Sequence, residues 1–211
     1  MIIVNAIGRQ LQHPKGVFGK ILFSWMTKKT IEHARWTADL LGVQPDDHIL
    51  EIGFGNGTNI KLLLQRASRG AVTGVEISQT AIEMASKNNA KAISDGRVKL
   101  YHYAGSTLPF EDSVFDKACT VATAYVIADP GAVFNEMYRI LKPNGQAAVT
   151  FPVRENFMRF KPAETEGFYL YQLKELEAAF HNAGFVNCRT EHNNRVRFGA
   201  HCMLGIKQAI I

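Results

Sequence analysis

Glu51, Gly53, Gly55 and Gly57 stand at alternate positions in the run Ile49-Leu50-Glu51-Ile52-Gly53-Phe54-Gly55-Asn56-Gly57-Thr58. An apolar strand leads into a carboxylate, then into glycines, then into an apolar-periodic helix. Glycine has no side chain to collide with a ligand, so such a turn lets the backbone approach one closely. The free amides at the start of the helix favour an anionic group there. This is the chemistry of a nucleotide-cradling turn in an α/β sheet. A dinucleotide-binding turn has the pattern G-x-G-x-x-G. Here the third glycine falls on Gly57, and Thr58 occupies the position that pattern requires. A second carboxylate, Glu76, closes the apolar segment 71–76. It lies about 20 residues past the glycines, where a carboxylate can accept hydrogen bonds from both hydroxyls of a ribose.

These residues need a scaffold, and the chain supplies the pattern of one. After residue 45, strand-like and helix-like segments alternate, the signature of a parallel sheet covered on both faces. The expected strands are His48–Ile52, Ala71–Glu76, Val98–Tyr103, Phe115–Ala124 and Gln146–Phe151, followed by Val186–His192 and Ala200–Ile206 around a hairpin. Helices are expected at Thr58–Ala67, from Ser78 to about Lys91, after Asp129-Pro130, and at Gln172–Ala183. Ser78 and Asp129 read as N-caps, with Pro130 at the first helical position. Lys142-Pro143-Asn144-Gly145 reads as a stop and turn. In an open parallel sheet ligands bind outside the carboxyl ends of the strands, which places the glycine turn, Glu76 and the segment Thr123–Pro130 on one face.

Three segments resemble the class I S-adenosylmethionine-dependent methyltransferases. They are Glu51-x-Gly53-x-Gly55-x-Gly57, Leu108-Pro109-Phe110 with Phe115-Asp116, and Glu136 to Gly145. The resemblance extends over residues 45–207. It implies a doubly wound, seven-stranded α/β sheet, mostly parallel, with strand order 3-2-1-4-5-7-6 and an antiparallel last strand. It implies S-adenosylmethionine as cofactor and an enzyme that methylates a small molecule. The turn Gly53, Gly55, Asn56 and Gly57 would then face the methionine part, with Glu51 meeting its amino group directly or through water. Glu76 would take the ribose and Ile77 would pack on the adenine. The Gly105 or Ser106 N–H would donate to the ring. Many relatives carry an aspartate for the adenine amino group where this chain has Ala104, so Ser106, a backbone carbonyl or water must serve. Thr123 and Tyr125 would lie beside the transferable methyl. Tyr125 would act as a positioning hydrogen bond, an aromatic wall or a general base, unless it packs under the following helix.

The 211 residues suffice for one domain with a sizeable core, here read as a helical extension or lid over 1–44 and a cofactor-binding core over 45–211. No apolar run is long enough to span a bilayer, and no secretory signal opens the chain. Cys119, Cys188 and Cys202 show no metal-ligand spacing, so no metal is expected, and a reducing cytoplasm suits them. The net charge of +5 is uneven: residues 1–41 hold six basic and two acidic side chains, the rest eighteen and seventeen. Arg154, Arg159 and Lys161 after strand five, and Arg195 and Arg197 in the hairpin, could also reach the ligand face. An anionic acceptor is the resulting expectation. Val17, Phe18, Ile21, Leu22, Trp25 and Met26 at helical spacing, with Lys20, Lys28 and Lys29, read as a lid, a dimer contact or a membrane-surface helix. The last would point to a phosphatidylethanolamine-type acceptor. Nucleic acid is not expected, since the basic excess is terminal and no N/D-P-P-Y/F motif follows strand four. A monomer or homodimer is expected, and a non-catalytic regulatory subunit is the competing reading.

Overall fold

The structure, a computed structural model, describes residues 2–12, 14–105 and 107–209, with the side chains of these except 2, 3, 17, 23 and 26–29. The chain opens with helices α1 (Ile2–Gln12) and α2 (Gly16–Leu40). It continues through β1 (His48–Ile52), α3 (Thr58–Arg66), β2 (Ala71–Glu76), α4 (Gln79–Asn88), α5 (Ala90–Ser94), β3 (Val98–His102) and β4 (Phe115–Val121). Then come α6 (Pro130–Ile140), β5 (Leu141–Pro152), the single turn α7 (Arg154–Phe157), α8 (Leu173–Asn182), β6 (Val186–Asn193) and β7 (Ala200–Ile206). The strands form one sheet in the order β3-β2-β1-β4-β5-β7-β6, as expected. The pairs among β1 to β5 are parallel, whereas β7 runs antiparallel to both β5 and β6.

Strand order reverses at β1, which lies between β2 and β4, so a crevice opens there at the carboxyl ends. Alternation along β1 feeds both layers. Ile49 packs with Leu41, Ile60 and Leu63 on the α2–α3–α4 side. Leu50 packs with Phe134, Met137 and Phe180 on the α6–α8 side. Both faces are buried, which is why the strands read as continuous apolar runs.

The caps follow the residue types. Ser78 Oγ accepts from the Ala81 N–H at 3.3 Å, and Asp129 Oδ1 from the Ala132 N–H at 2.9 Å. Helix α8 starts in a capping box between Gln172 and Glu175. Three boundaries differ from expectation by more than one residue. The helix after Ser78 stops at Asn88, because the Asn89 amide turns back to the carbonyls of Ala85 and Gly57. Strand β4 stops at Val121, because Ala122 adopts φ 55° ahead of a 3-10 turn over Ala124–Val126. Strand β5 begins early, since Leu141 already pairs with Phe115 before a register shift that absorbs Lys142–Gly145. Asn144 sits there at φ 66°, a conformation asparagine tolerates.

The N-terminal helices divide into two parts. The second half of α2 is core: His33, Ala34, Thr37, Ala38 and Leu41 are buried, and the Thr37 and Thr150 hydroxyls share a 2.6 Å hydrogen bond. The first half presents Phe18, Ile21 and Trp25 outward. The Val17, Met26, Lys28 and Lys29 side chains lie outside the described residues. No described helix is long and apolar enough to cross a membrane.

Candidate functional site

Beyond Ile52 the chain takes three left-handed steps, at Gly53 (φ 72°), Gly55 (φ 56°) and Gly57 (φ 75°). At Gly53 even an alanine would not fit, since its Cβ would lie 2.6 Å from Thr123 Cγ2. The Thr123 hydroxyl donates to the Val121 carbonyl at 3.1 Å and reaches the Gly53 carbonyl at 3.4 Å, so Thr123 props the turn from beneath. Asn56 Oδ1 accepts from the Thr58 N–H and hydroxyl, which starts α3. Asn88 and Asn89 amides donate to the Asn56 and Gly57 carbonyls and tie the turn to α4.

Both carboxylates expected at the site stand on its wall. Glu76 is held in place by the backbone: Oε2 accepts from the Gly55 N–H and Oε1 from the Ser78 N–H, each at 3.0 Å. Each oxygen keeps a lone pair for a ligand. Glu51 is 2% exposed. Its Oε1 accepts from Asn59 Nδ2 at 2.8 Å, while Oε2 has no partner among the described residues. Burial pushes its pKa up to about 7, opposed by the Asn59 bond and aided by the Glu76 charge. Asn59 escaped sequence reasoning. The one available signal was a polar side chain in the first turn of an otherwise apolar-faced helix.

A cavity of about 540 Å³ lies over these groups, within the usual range for small-molecule pockets. Glu51, Gly53, Gly55, Asn56, Glu76, Ile77, Gly105, Thr123 and Tyr125 all border it. Gly57 does not. It packs against Ala85 and Asn89 of the neighbouring helix end, so its lack of a side chain serves helix packing. Ser106 lies outside the described residues. Ala104 borders the cavity, as does Tyr103, whose hydroxyl is buried without a partner among the described residues. The loop 104–113 is clamped by Arg139, which donates to the Leu108 and Phe110 carbonyls and to Glu136 and Asp112.

Tyr125 stacks on Phe157 and Phe168, with ring centroids 4.7 and 5.7 Å away. Burial pushes its phenol up to about 12. The shift disfavours the phenolate, which weighs against the general-base role and leaves the wall and the hydroxyl donor. Phe160 continues this aromatic wall, and Leu11 of α1, Pro14 of the α1–α2 connection and Ile31 of α2 border the same cavity. Helix α1 is strapped to the same segment: Gln12 Nε2 donates to the Glu166 carbonyl at 3.0 Å, and Gly8 lies so close to Thr165 that no side chain would fit.

The basic side chains expected to reach the ligand face do not border the cavity where they are described. Among the described residues no lysine, arginine or histidine borders the cavity. Arg154 donates to the Leu170 carbonyl, Lys161 pairs with Glu164, and the Arg197 guanidinium lies 4.5 Å from the Phe198 ring centroid and 5.5 Å from that of Trp25. Arg159 and Arg195 are exposed and likewise border no part of the cavity. The segment after β5 turns its phenylalanines inward, because burying an unpaired charge in their place would be costly.

Comparison with known proteins agrees with this geometry. The methyltransferase domain family matches residues 50–149. The chain is 29% identical to the uncharacterized methyltransferase YdaC of Bacillus subtilis (strain 168), over 76% of this chain and 83% of that protein. Among solved structures, a SAM-dependent methyltransferase from Thermotoga maritima superposes with TM-score 0.72 at 20% identity, covering 96% of this chain and 100% of the other. Haemonchus contortus phosphoethanolamine N-methyltransferase 2, in complex with S-adenosyl-L-methionine, gives TM-score 0.76 at 16% identity, over 96% of this chain and 60% of that one. With its seven-stranded order, its glycine turn and these relatives, the chain belongs to the class I S-adenosylmethionine-dependent methyltransferases.

Proposed function

We propose that this enzyme methylates a small, largely apolar acceptor that carries no strong negative charge. The observation behind this reading is the cavity wall beyond the glycine turn: Tyr125, Val126, Ile127, Phe157, Phe160 and Phe168, with no cationic side chain among the described residues. Among the described residues no cationic side chain borders the cavity to neutralise a carboxylate or phosphate on the acceptor. The acceptor first expected, an anionic one, is therefore replaced by a neutral one.

The residues present fit the cofactor. Glu51 Oε2 is a buried acceptor awaiting a donor, and Glu76 offers two oxygens in a fixed orientation for a diol. Gly53 and Gly55 leave room for backbone approach, Ile77 offers an exposed apolar face to the adenine, and the Gly105 N–H can serve the ring. Bound S-adenosylmethionine supplies a methyl group on a sulfonium, open to in-line displacement. This chain's part is to align the acceptor and exclude water, a kind of catalysis in which about 7–11 kcal/mol is available from positioning. Tyr125 contributes a wall and a hydroxyl donor. The end of α1 with Pro14, the Thr30–Ala34 stretch of α2 and the segment 157–168 act as the lid that closes the acceptor side.

The test is a rate comparison of matched acceptors, one neutral and one bearing a carboxylate at a position remote from the nucleophile, followed by S-adenosylhomocysteine release. Faster turnover of the neutral member is expected. A preference for the carboxylate-bearing member would overturn the proposal.

A further inference from the structure

Asn59 sits in the first turn of α3, 8% exposed, on the cavity wall. Its Nδ2 donates to Glu51 Oε1 at 2.8 Å. That bond sets the orientation of the amide: with the nitrogen committed to the carboxylate, Oδ1 turns the other way. Oδ1 has no partner among the described residues, and neither does Glu51 Oε2. Two adjacent side chains thus each leave a buried oxygen acceptor without a donor. Native proteins rarely leave such groups unpaired unless something outside the chain completes them. Both acceptors are oxygens and one belongs to a carboxylate, so the missing partner carries several N–H donors and a positive charge. A primary ammonium has three donors on one point charge.

We infer that Asn59 Oδ1 and Glu51 Oε2 together form a receptor for a primary ammonium group, the α-ammonium of the cofactor's amino-acid moiety, and that Asn59 is a specificity-determining residue for it. The inference rests on the reading of Glu51 given above and extends it to a residue with no motif signal. Asn59 acts twice. It holds Glu51 in one orientation through Nδ2 and offers the second acceptor through Oδ1. No main-chain group among the described residues bonds its side chain, so capping or turn formation does not account for it.

The experiment is isothermal titration of the full chain with three compounds. These are S-adenosylhomocysteine, its deamino analogue with hydrogen in place of the amino group, and 5′-methylthioadenosine, which lacks the amino-acid part. Wild type is compared with Asn59→Leu, which keeps the branching without the polar atoms, and with Asn59→Ala, which introduces no steric conflict should the leucine variant fail to fold. Each variant is expected to weaken S-adenosylhomocysteine about tenfold or more, the scale of a hydrogen bond to a charged group. The deamino analogue and 5′-methylthioadenosine should change less than about threefold, since the lost interaction is absent from them. Equal losses for the amino and deamino ligands would overturn the inference. Glu51→Gln run alongside separates the two readings. If only Glu51→Gln distinguishes amino from deamino ligand, Asn59 is structural and the inference fails alone. If neither variant distinguishes them, the ammonium lies elsewhere and the reading of Glu51 falls with it.

Discussion

Replacing Glu51 by glutamine should stabilise the cofactor-free protein at alkaline pH while weakening its hold on cofactor. The carboxyl is fully buried, and its pKa rises from 4.5 to about 7, chiefly through burial. A group whose folded pKa lies above its unfolded value contributes stability that is fully present below the unfolded pKa and lost as pH rises through the folded one. The loss therefore develops between pH 4.5 and about 7. At about 1.36 kcal/mol per unit it amounts to about 3 kcal/mol above that window. Glutamine keeps an oxygen for Asn59 Nδ2 and never ionises, so it escapes the loss. For a chain of this size, roughly 2–4 °C per kcal/mol places the variant about 6–12 °C above wild type in Tm at pH 8. The two should converge near pH 4.5. Cofactor reverses the order, because its ammonium favours the ionised carboxylate: wild-type affinity should rise from pH 6 to 7.5, and that of the variant should stay flat and lower. Thermal melts from pH 4.5 to 8, with and without S-adenosylhomocysteine, measure both effects. A Tm difference that does not grow with pH, or a variant that binds S-adenosylhomocysteine as tightly as wild type, would refute the reasoning.

Gly53→Ala combines a left-handed φ with a Cβ 2.6 Å from Thr123 Cγ2. A cost of about 1–3 kcal/mol and loss of cofactor binding are expected, and Thr123→Ala in the same chain should recover part of the stability by removing the collision. Arg139→Met should cost about 3–5 kcal/mol in urea unfolding, because it strands Glu136 and frees loop 104–113. Adding Glu136→Leu should return part of that loss, and strict additivity of the two changes would count against the clamp. Phe168→Ala should raise the acceptor KM while leaving the S-adenosylhomocysteine Kd unchanged, the pattern of a residue on the acceptor wall alone. An equal change in both constants would move Phe168 to the cofactor side.

Local rules made the scaffold legible in the chain. Alternating β and α periods implied a parallel sheet, and Ser78 and Asp129 cap the helices their residue types foretold. Asn144 takes the left-handed turn that glycine would otherwise hold. The glycine spacing and Glu76 marked the candidate site because backbone geometry and a strand end are properties of neighbouring residues. Other features depend on partners distant in sequence. Whether the cations or the phenylalanines of the segment after β5 face the cavity is a choice between hydration and burial that no periodicity records in an irregular loop. The second half of α2 became core only when the sheet offered Thr150 to Thr37. The sequence by itself determined the fold family and its cofactor, and it pointed to the candidate site that borders the cavity. The tertiary structure alone decided that Phe157, Phe160 and Phe168 border the cavity beside Tyr125, and that Glu51 and Asn59 each keep an oxygen unpaired among the described residues. Desolvation and hydrogen-bond satisfaction depend on everything that surrounds an atom, and most of what surrounds these atoms lies far away along the chain.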